Sequence, residues 1–292
     1  MKRSVTISNE NQGLLYGLLG VIGFSLTPPG TRMAVEYLDP VFVGLGRAVV
    51  AGLLAAVILL LMRIPLPDKK YLVRFMVVSL TVALIYPLLL AWSMQTISAS
   101  HTGVVLGALP LATALVGALR SGERPSAEFW WLSILGAITV IAFSIINGGG
   151  SLQSGDAMLF LAVIIGAIGY TEGAELSKAL GGWQVICWAM VFALPILIIP
   201  FLFVAWPVDQ TLIPDSAWYG FFYVAISSQL FSFFPWYKGL AMGGITRVSQ
   251  LMLLMPFMTI IESQWLLNDQ VSIQTYFFAS MVIGIVLISR RV

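Results

Sequence analysis

Apolar runs of about 20 residues follow one another along the chain, separated by short stretches that contain proline, glycine or charged residues. A helix needs about 20 mostly apolar residues to cross a bilayer. A backbone in lipid must also satisfy its own polar groups, so runs of this kind form helices. Charged residues make up 10% of the chain, against about 25% in a typical soluble domain. The sequence therefore predicts an all-α integral membrane protein.

The separators predict ten transmembrane helices. Proline and glycine pairs such as Asp39-Pro40 and Gly181-Gly182 mark the breaks, because these residues interrupt helices. The predicted spans are residues 13–32, 41–62, 72–96, 100–119, 127–146, 156–177, 183–205, 216–238, 246–267 and 272–289.

The basic residues indicate how these spans are oriented. Thirteen of the 15 lysines and arginines lie on one side: before span one, after spans two, four, six and eight, or at the C-terminus. Only Arg32 lies in an opposite-side loop, and Arg47 lies inside span two. Because cytoplasmic loops carry the excess of Lys and Arg, we predict that both termini are cytoplasmic.

The two halves of the chain resemble each other at an offset of 146 residues, which is half of its length. Glycine, proline, threonine and acidic positions match together at this offset, so we favour a duplication over chance matching in apolar sequence. The matching pairs are Gly20 and Gly166, Gly23 and Gly169, Pro110 and Pro256, Thr113 and Thr259, Glu123 and Asp269, and Ser126 and Ser272. We predict two five-helix repeats, residues 1–147 and 148–292.

An odd number of spans per repeat means that the second repeat enters the membrane from the opposite side. Inverted repeats of this kind are typical of alternating-access transporters, whose substrate site lies near the midplane between the repeats. The sequence thus predicts a site where the two repeats meet.

The chain resembles the EamA family of the drug/metabolite transporter superfamily. The family pattern of a proline, an apolar run and E-x-x-S/T reads Pro110…Glu123-Arg-Pro-Ser126 after span four, and Pro256…Asp269-Gln-Val-Ser272 after span nine. The opening GFSLTPPGTRMAVEYLDPVFVGLGR is similar to the first helix pair of the family. The resemblance covers essentially the full length. It implies a ten-helix transporter in the prokaryotic inner membrane.

Spans four and nine contain the residues expected to bend. Each proline removes one backbone hydrogen bond, and glycine lowers helix propensity. A static kink is the alternative for either proline alone, but two at symmetric positions favour hinges. The predicted hinge residues are Gly103, Gly107, Pro110, Gly243, Gly244 and Pro256.

Uncharged polar and aromatic residues near the middle of spans one, three, four, six, eight and nine are the candidates for substrate binding. By resemblance to the family these spans face the centre. Rings supply dispersion contact, and hydroxyls or amides orient a polar end. Ordinary interhelical hydrogen bonding or an interfacial aromatic belt is the alternative for each residue. The candidates are Ser25, Tyr86, Trp92, His101, Thr102, Tyr170, Gln229, Ser232, Trp236 and Gln250.

The sequence does not favour enzymatic chemistry. It has no HExxH motif, no phosphate-binding glycine loop and no Cys/His cluster, so we expect no cofactor, no metal and no nucleic-acid partner. Glu172 and Glu175 lie near Lys178, where a structural ion pair is favoured over a proton relay. A membrane-embedded enzyme or a passive channel would need a catalytic set or a polar path that the sequence does not show.

We therefore expect a monomeric carrier, embedded in the lipid bilayer, for small amphipathic metabolites. The aromatic content and the run WYKGLAMGGITRVSQ resemble exporters of aromatic amino acids within the family. Aromatic or other neutral amino acids are the first substrate hypothesis. A polyspecific drug or cation exporter is the alternative, and it would be favoured by Glu172 or Glu175 facing a central cavity.

Overall fold

A computed structural model describes residues 9–121, 126–147, 151–204, 212–243 and 248–289. All regular structure in these residues is helical, with no strand among them. Within the described residues, seven helices are long and apolar enough to cross a membrane, and two shorter apolar helices follow them. The seven are Asn11–Val35, Pro40–Leu61, Lys69–Ser93, Ala99–Gly117, Trp130–Asn147, Ser154–Leu180 and Gly182–Phe203. The predicted class of all-helical membrane protein is confirmed, and the count of ten spans stays a prediction.

Several of the spans consist of more than one helix. The α-helices of the described residues are α1 Asn9–Ser25, α2 Thr27–Val35, α3 Pro40–Leu61, α4 Leu72–Val78, α5 Tyr86–Ser93, α6 Ala99–Leu106, α7 Leu109–Ser121, α8 Ala127–Asn147, α9 Ser154–Leu180, α10 Gly182–Phe203, α11 Asp215–Phe222, α12 Phe233–Gly243, α13 Met255–Leu267 and α14 Ile273–Ser289. Two π-helical segments, Ser79–Ile85 and Tyr223–Phe231, join α4 to α5 and α11 to α12. The 3-10 segments Lys69–Tyr71 and Ser249–Leu254 precede α4 and α13. Gly244 and residues 123–125 of the family pattern lie outside the described residues.

The first span is interrupted at Leu26. α2 starts immediately afterwards with Pro28 and Pro29 in its first turn, where the missing N–H of proline is tolerated. Pro29 leaves the carbonyl of Ser25 without its donor four residues on. The hydroxyl of Thr259 donates to that carbonyl at 2.8 Å instead. The span predicted over residues 13–32 is thus two helices. A side chain of α13 donates to the carbonyl group that the break leaves without a backbone donor.

The third span changes to a π-helix before its proline. In this segment each amide donates five residues back, as the N–H of Tyr86 does to Thr81. Pro87 cannot make the equivalent bond to Val82. The amide Nε2 of Gln229 donates to the Val82 carbonyl at 2.9 Å. Gln229 itself lies in the second π-helical segment. A side chain of one irregular helix therefore supplies the hydrogen bond that the backbone of the other lacks.

Pro110 and Pro256 occupy equivalent places in the structure. Each is the second residue of its helix, α7 or α13, in the first turn, where proline is tolerated. A turn at Gly107 and Ala108 precedes α7, and the 3-10 segment precedes α13. The prolines were expected in the middle of continuous helices. They begin new helices instead, because proline fits the first turn and not the interior.

Two aspartates define the starts of the helices that carry cavity residues. Asp39 Oδ1 accepts from the amides of Val41 and Phe42 at 2.8 and 3.1 Å at the start of α3. Asp156 accepts from the amide of Gln153 at 2.9 Å in a capping box at the start of α9. Such caps satisfy amide groups that have no partner inside the helix. They therefore define where α3 and α9 begin.

Glycines of α1 and α9 bring the two halves of the sequence into close contact. A Cβ atom placed on Gly20 would lie 2.8 Å from Cβ of Trp236 in α12. A Cβ atom on Gly169 would lie 2.5 Å from Cγ2 of Val82 in the first π-helical segment. Carbon atoms pack optimally about 3.5–4.0 Å apart, so no larger side chain fits either place. These glycines allow the close helix approach typical of membrane proteins.

Replacement of Gly20 by alanine is expected to destabilise the protein. The added methyl group meets the backbone and Cβ of Trp236, and overpacking of this kind costs about 1–3 kcal/mol. The matched control is Gly117→Ala, because a Cβ atom on Gly117 in α7 has nothing within 4 Å. Unfolding in detergent, followed by circular dichroism, should show a lower midpoint for Gly20→Ala only. Equal midpoints would contradict the close packing of α1 on α12.

Candidate functional site

A cavity lies where helices from the first and second halves of the sequence meet. Four aromatic residues line it: Phe24, Tyr86, Tyr170 and Phe233. Four polar residues complete it: Thr27, Arg47, Ser228 and Gln229. Val82, Leu109, Gly166 and Met255 form the rest of its wall. The centre of a water molecule can occupy about 20 Å³ inside it, which is room for one or two water molecules.

The aromatic side of the cavity is a cluster of rings from α1, α9 and α12. The Phe24 ring lies edge-on to Phe233, with centroids 4.8 Å apart, and Tyr170 meets Phe233 at 5.9 Å. Trp236 packs against both Phe24 and Tyr170 at 6.0 and 6.1 Å. Trp236 lines an adjoining cavity with Pro110 and Tyr170. Its buried Nε1–H has no acceptor in the structure.

The polar side is a short chain of hydrogen bonds. Arg47 Nη2 donates to Ser228 Oγ at 2.9 Å, and Ser228 Oγ lies 2.7 Å from Thr27 Oγ1. Arg47 comes from the middle of α3, Ser228 from the second π-helical segment and Thr27 from the start of α2. The cavity thus combines apolar rings with one cation and several neutral hydrogen-bonding groups.

Glu172 forms ion pairs with two arginines near one end of α9. Its side chain is only 1% exposed, and it pairs with Arg74 of α4 at 3.8 Å and with Arg120 of α7. Glu175, one turn further on, pairs with exposed Lys178 at 2.6 Å. Neither glutamate lines the cavity. Both therefore have structural partners outside it.

His101 and Asp156 form a second buried pair at the opposite end of α9. His101 Nε2 lies 2.8 Å from Asp156 Oδ1. Nδ1 of the same ring lies 2.8 Å from the Asn147 amide nitrogen, so the amide donates to an unprotonated Nδ1. Asp156 and Glu172 are 16 residues apart, or about 24 Å along an α-helix. Gly166 and Tyr170, which line the cavity, lie between them.

A third acid, the half-buried Glu262, lies beside the break in the first span. Glu262 Oε1 accepts from the Ser25 hydroxyl at 2.8 Å, and its Oε2 is buried without a hydrogen-bond donor. The Tyr223 hydroxyl donates to the Gly23 carbonyl at 2.8 Å in the same region. This carboxyl group is not part of the cavity wall.

The structure brings only some of the predicted binding residues together. Tyr86, Tyr170 and Gln229 line the main cavity, and Trp236 lines the adjoining one. The other described candidates line neither cavity. Ser25 bonds to Glu262, His101 pairs with Asp156, and Thr102 donates to the Ser98 carbonyl, while Ser232 packs against Gly23 and Trp92 lies outside both cavities. The Gln250 side chain lies outside the described residues.

The predicted hinge residues lie at helix contacts. A Cβ atom on Gly103 would lie 2.9 Å from Thr259, and one on Gly107 would lie 2.8 Å from the Pro256 ring. Gly243 lies against Gly13, and Pro110 lines the adjoining cavity. Spans four and nine therefore meet at their own interruptions, and the hinge role of these residues stays a prediction.

Sequence reasoning missed Phe24, Arg47 and Phe233 as cavity residues. Arg47 could have been found. It is the one charged residue in the 22 residues of α3, and a charge at the centre of a membrane helix costs about 2.5–3.5 kcal/mol, so it is retained mainly for function. The phenylalanines carry no such signal, because the spans around them are apolar on every face.

Fold and site together define a multi-pass helical membrane protein with a polar and aromatic cavity between its helices. Among the described residues, no group of three His, Cys, Asp or Glu side chains could hold a metal ion. A buried pocket of this composition suits a small amphipathic solute.

Comparisons with known proteins identify the family. The sequence model of the EamA-like transporter family matches the chain twice, at residues 11–145 and 153–290. The uncharacterized transporter YdeK of Bacillus subtilis (strain 168) is 42% identical over 265 residues, covering 91% of this chain and 92% of that protein. A solved crystal structure matches with a TM-score of 0.66 at 15% identity, over 95% of this chain and 97% of the other. This chain belongs to the EamA-like transporter family, and it is a membrane transporter of that type.

The coupling free energy of the buried His101–Asp156 pair is expected to be much larger than that of the exposed Glu175–Lys178 pair. A double-mutant cycle with His101→Ala and Asp156→Ala should give a coupling free energy of about 1–3 kcal/mol, because both groups are desolvated. The matched cycle with Glu175→Ala and Lys178→Ala should give about 0.5 kcal/mol or less, as exposed pairs do. Unfolding of purified protein in detergent measures both. Similar coupling in the two cycles would contradict the role of burial.

Proposed function

We propose that this transporter exports small amphipathic metabolites, above all aromatic and neutral amino acids, by alternating access. In this proposal ten transmembrane helices form two inverted five-helix repeats, residues 1–147 and 148–292. Both termini lie in the cytoplasm of a prokaryotic cell, and the protein works as a monomer in the inner membrane.

The arrangement of the cavity supports the two-repeat proposal. Three pairs of its lining residues are related by the 146-residue offset found in the sequence: Phe24 and Tyr170, Val82 and Ser228, and Leu109 and Met255. The two π-helical segments, Ser79–Ile85 and Tyr223–Phe231, also overlap at this offset. A cavity built from equivalent positions of two repeats is expected when the solute binds between them.

The cavity and the two clusters on α9 suggest how access to the cavity alternates between the two sides of the membrane. With cytoplasmic termini, the pairing of Glu172 with Arg74 and Arg120 lies toward the cytoplasm, and the His101–Asp156 pair lies toward the outside. Each cluster ties α9 to helices of the first repeat. In our proposal one cluster opens while the other holds, and spans four and nine bend at their interruptions.

The composition of the cavity is the observation that carries the substrate proposal. Rings of Phe24, Tyr170 and Phe233 suit an apolar or aromatic side chain. The hydroxyls of Thr27 and Ser228 suit the polar end of the same molecule. The narrower resemblance of the sequence to the aromatic amino-acid exporter YddG points the same way.

A polyspecific exporter of drugs or cations is the second candidate. The observation in its favour is Glu262, whose second carboxylate oxygen is buried without a donor. Against it, Glu172 and Glu175 are engaged with basic side chains, and the one charged side chain in the cavity wall is the cation of Arg47.

Transport by reconstituted protein tests the proposal directly. Liposomes containing the protein should take up labelled phenylalanine or tryptophan faster than threonine, and should not take up a lipophilic cation. Tyr170→Ala should lower the initial rate by about tenfold, because its ring contact is lost, and each 1.4 kcal/mol is worth a factor of ten. Tyr219→Ala is the matched control, since Tyr219 is exposed outside the cavity. Flux of the cation alone would overturn the amino-acid proposal.

Alanine at Pro110 or Pro256 tests the hinges. Alanine restores an N–H and a stronger helix propensity at each helix start, so bending at these points should become harder. Membrane insertion should be preserved, and the transport rate should fall severalfold. Pro200→Ala in α10 is the control, because Pro200 is exposed and lines neither cavity. Unchanged flux in both variants would mean that the prolines only shape the packing.

A further inference from the structure

The guanidinium group of Arg47 is buried with most of its donors unused. The residue is 2% exposed, and its position about 10 Å along α3 from Pro40 places it well inside the span. Its one hydrogen bond joins Nη2 to Ser228 Oγ at 2.9 Å. The Nε and Nη1 atoms are buried without any acceptor. Buried donors of this kind normally have partners.

No acid balances this charge in the part of the chain that the structure describes. The carboxyl group of Glu172 is paired with Arg74 and Arg120, Asp156 lies beside His101, and Glu262 accepts a hydrogen bond from Ser25. Around the guanidinium lie the phenol groups of Tyr86, Tyr170 and Tyr223, a side-chain type that is ordinarily uncharged at neutral pH. Arginine stays charged in proteins, so this charge remains uncompensated in the bilayer interior.

An uncompensated buried charge is costly, and packing alone does not account for it. At the 146-residue offset the corresponding residue of α10 is Ala193, which is also buried. The equivalent place in the second repeat is therefore filled by a methyl group. The arginine instead lines the cavity, with its free donors beside rings and hydroxyls.

We infer that Arg47 binds the carboxylate group of the transported solute. Its planar fork matches a carboxylate, to which it can donate two parallel hydrogen bonds. Because Arg47 is the one cation in the cavity wall, a monoanionic group suits the site better than a dianionic phosphate. The rings of Phe24, Tyr170 and Phe233 would receive the apolar part of the same molecule. The inference deepens the proposed function and depends on it only in placing the solute in this cavity.

Binding to purified protein in detergent tests the inference without any transport. Four probes share a phenyl ring and differ at the polar end: 3-phenylpropionate, L-phenylalanine, L-phenylalaninamide and phenyl phosphate. Calorimetric titration of the wild-type protein should show binding of 3-phenylpropionate and phenylalanine. The amide and the phosphate should bind at least about tenfold more weakly, because a hydrogen-bonded charge contributes about 1.5–3 kcal/mol. Failure of both carboxylates to bind, or equal binding of the amide, would overturn the inference, as would preference for the phosphate.

Two variants of Arg47 and a control variant test whether its guanidinium group binds the carboxylate of the probe. Arg47→Gln should weaken the binding of 3-phenylpropionate by about 10- to 100-fold and leave the amide unchanged. Arg47→Lys keeps the charge without the fork, so its affinity should lie between the two. Arg63→Gln removes an exposed charge after α3 and should change nothing. If Arg47→Gln does not fold, the binding of the four probes to the wild-type protein and to Arg47→Lys still tests the inference. Unchanged carboxylate affinity in a folded Arg47 variant would overturn the inference.

Transport assays separate this inference from the proposed function. Amino-acid uptake that is insensitive to Arg47→Lys and Arg47→Gln would support the proposed function and overturn the carboxylate site. Binding of 3-phenylpropionate through Arg47, without any flux of amino acids, would support the site and overturn the amino-acid proposal. The two ideas therefore fail independently.

Discussion

The requirement that every backbone polar group in the bilayer has a partner governs this structure. Proline interrupts the helices at residues 29 and 87 and leaves carbonyl groups without their usual donors. Side chains from distant parts of the sequence replace those donors: Thr259 for the carbonyl of Ser25, and Gln229 for that of Val82. Each bond joins the first half of the chain to the second. The irregular helices can therefore form only when the two halves are packed together.

The same interruptions explain why the cavity lies where it does. A regular helix presents only side chains to its neighbours, but a break or a π-helical segment also exposes backbone and admits polar side chains. Thr27 follows the break in the first span, Gln229 and Ser228 lie in a π-helical segment, and Leu109 begins a helix after a turn. The glycines of α1 and α9 then bring these irregular segments close enough to share one small cavity.

The helical membrane class and the positions of most breaks could be predicted from the sequence, because apolar length and proline are local signals. The π-helical segments could not, since their stability depends on partners such as Gln229 that are distant in sequence. The lining of the cavity was predicted in part: Tyr86, Tyr170 and Gln229 line it, whereas His101 and Thr102 do not. Depth in a span can be estimated by counting residues. Which face of a helix points toward the cavity cannot be predicted in this way, because these spans are apolar all round and carry no periodic signal.

Most ionisable side chains inside the helix bundle also have a partner of complementary character, but Glu262 and Arg47 each have only a hydroxyl. The buried carboxylates of Asp156 and Glu172 have basic partners, and each pair ties α9 to helices of the first half. Arg47 has only the Ser228 hydroxyl. A solute carboxylate at Arg47 would complete the charge balance. Since the counterpart of Arg47 at the 146-residue offset is Ala193, a carboxylate held by α3 would move with the first half, while its apolar part contacts rings from both halves. That asymmetry gives an otherwise repeated cavity a fixed orientation for the solute.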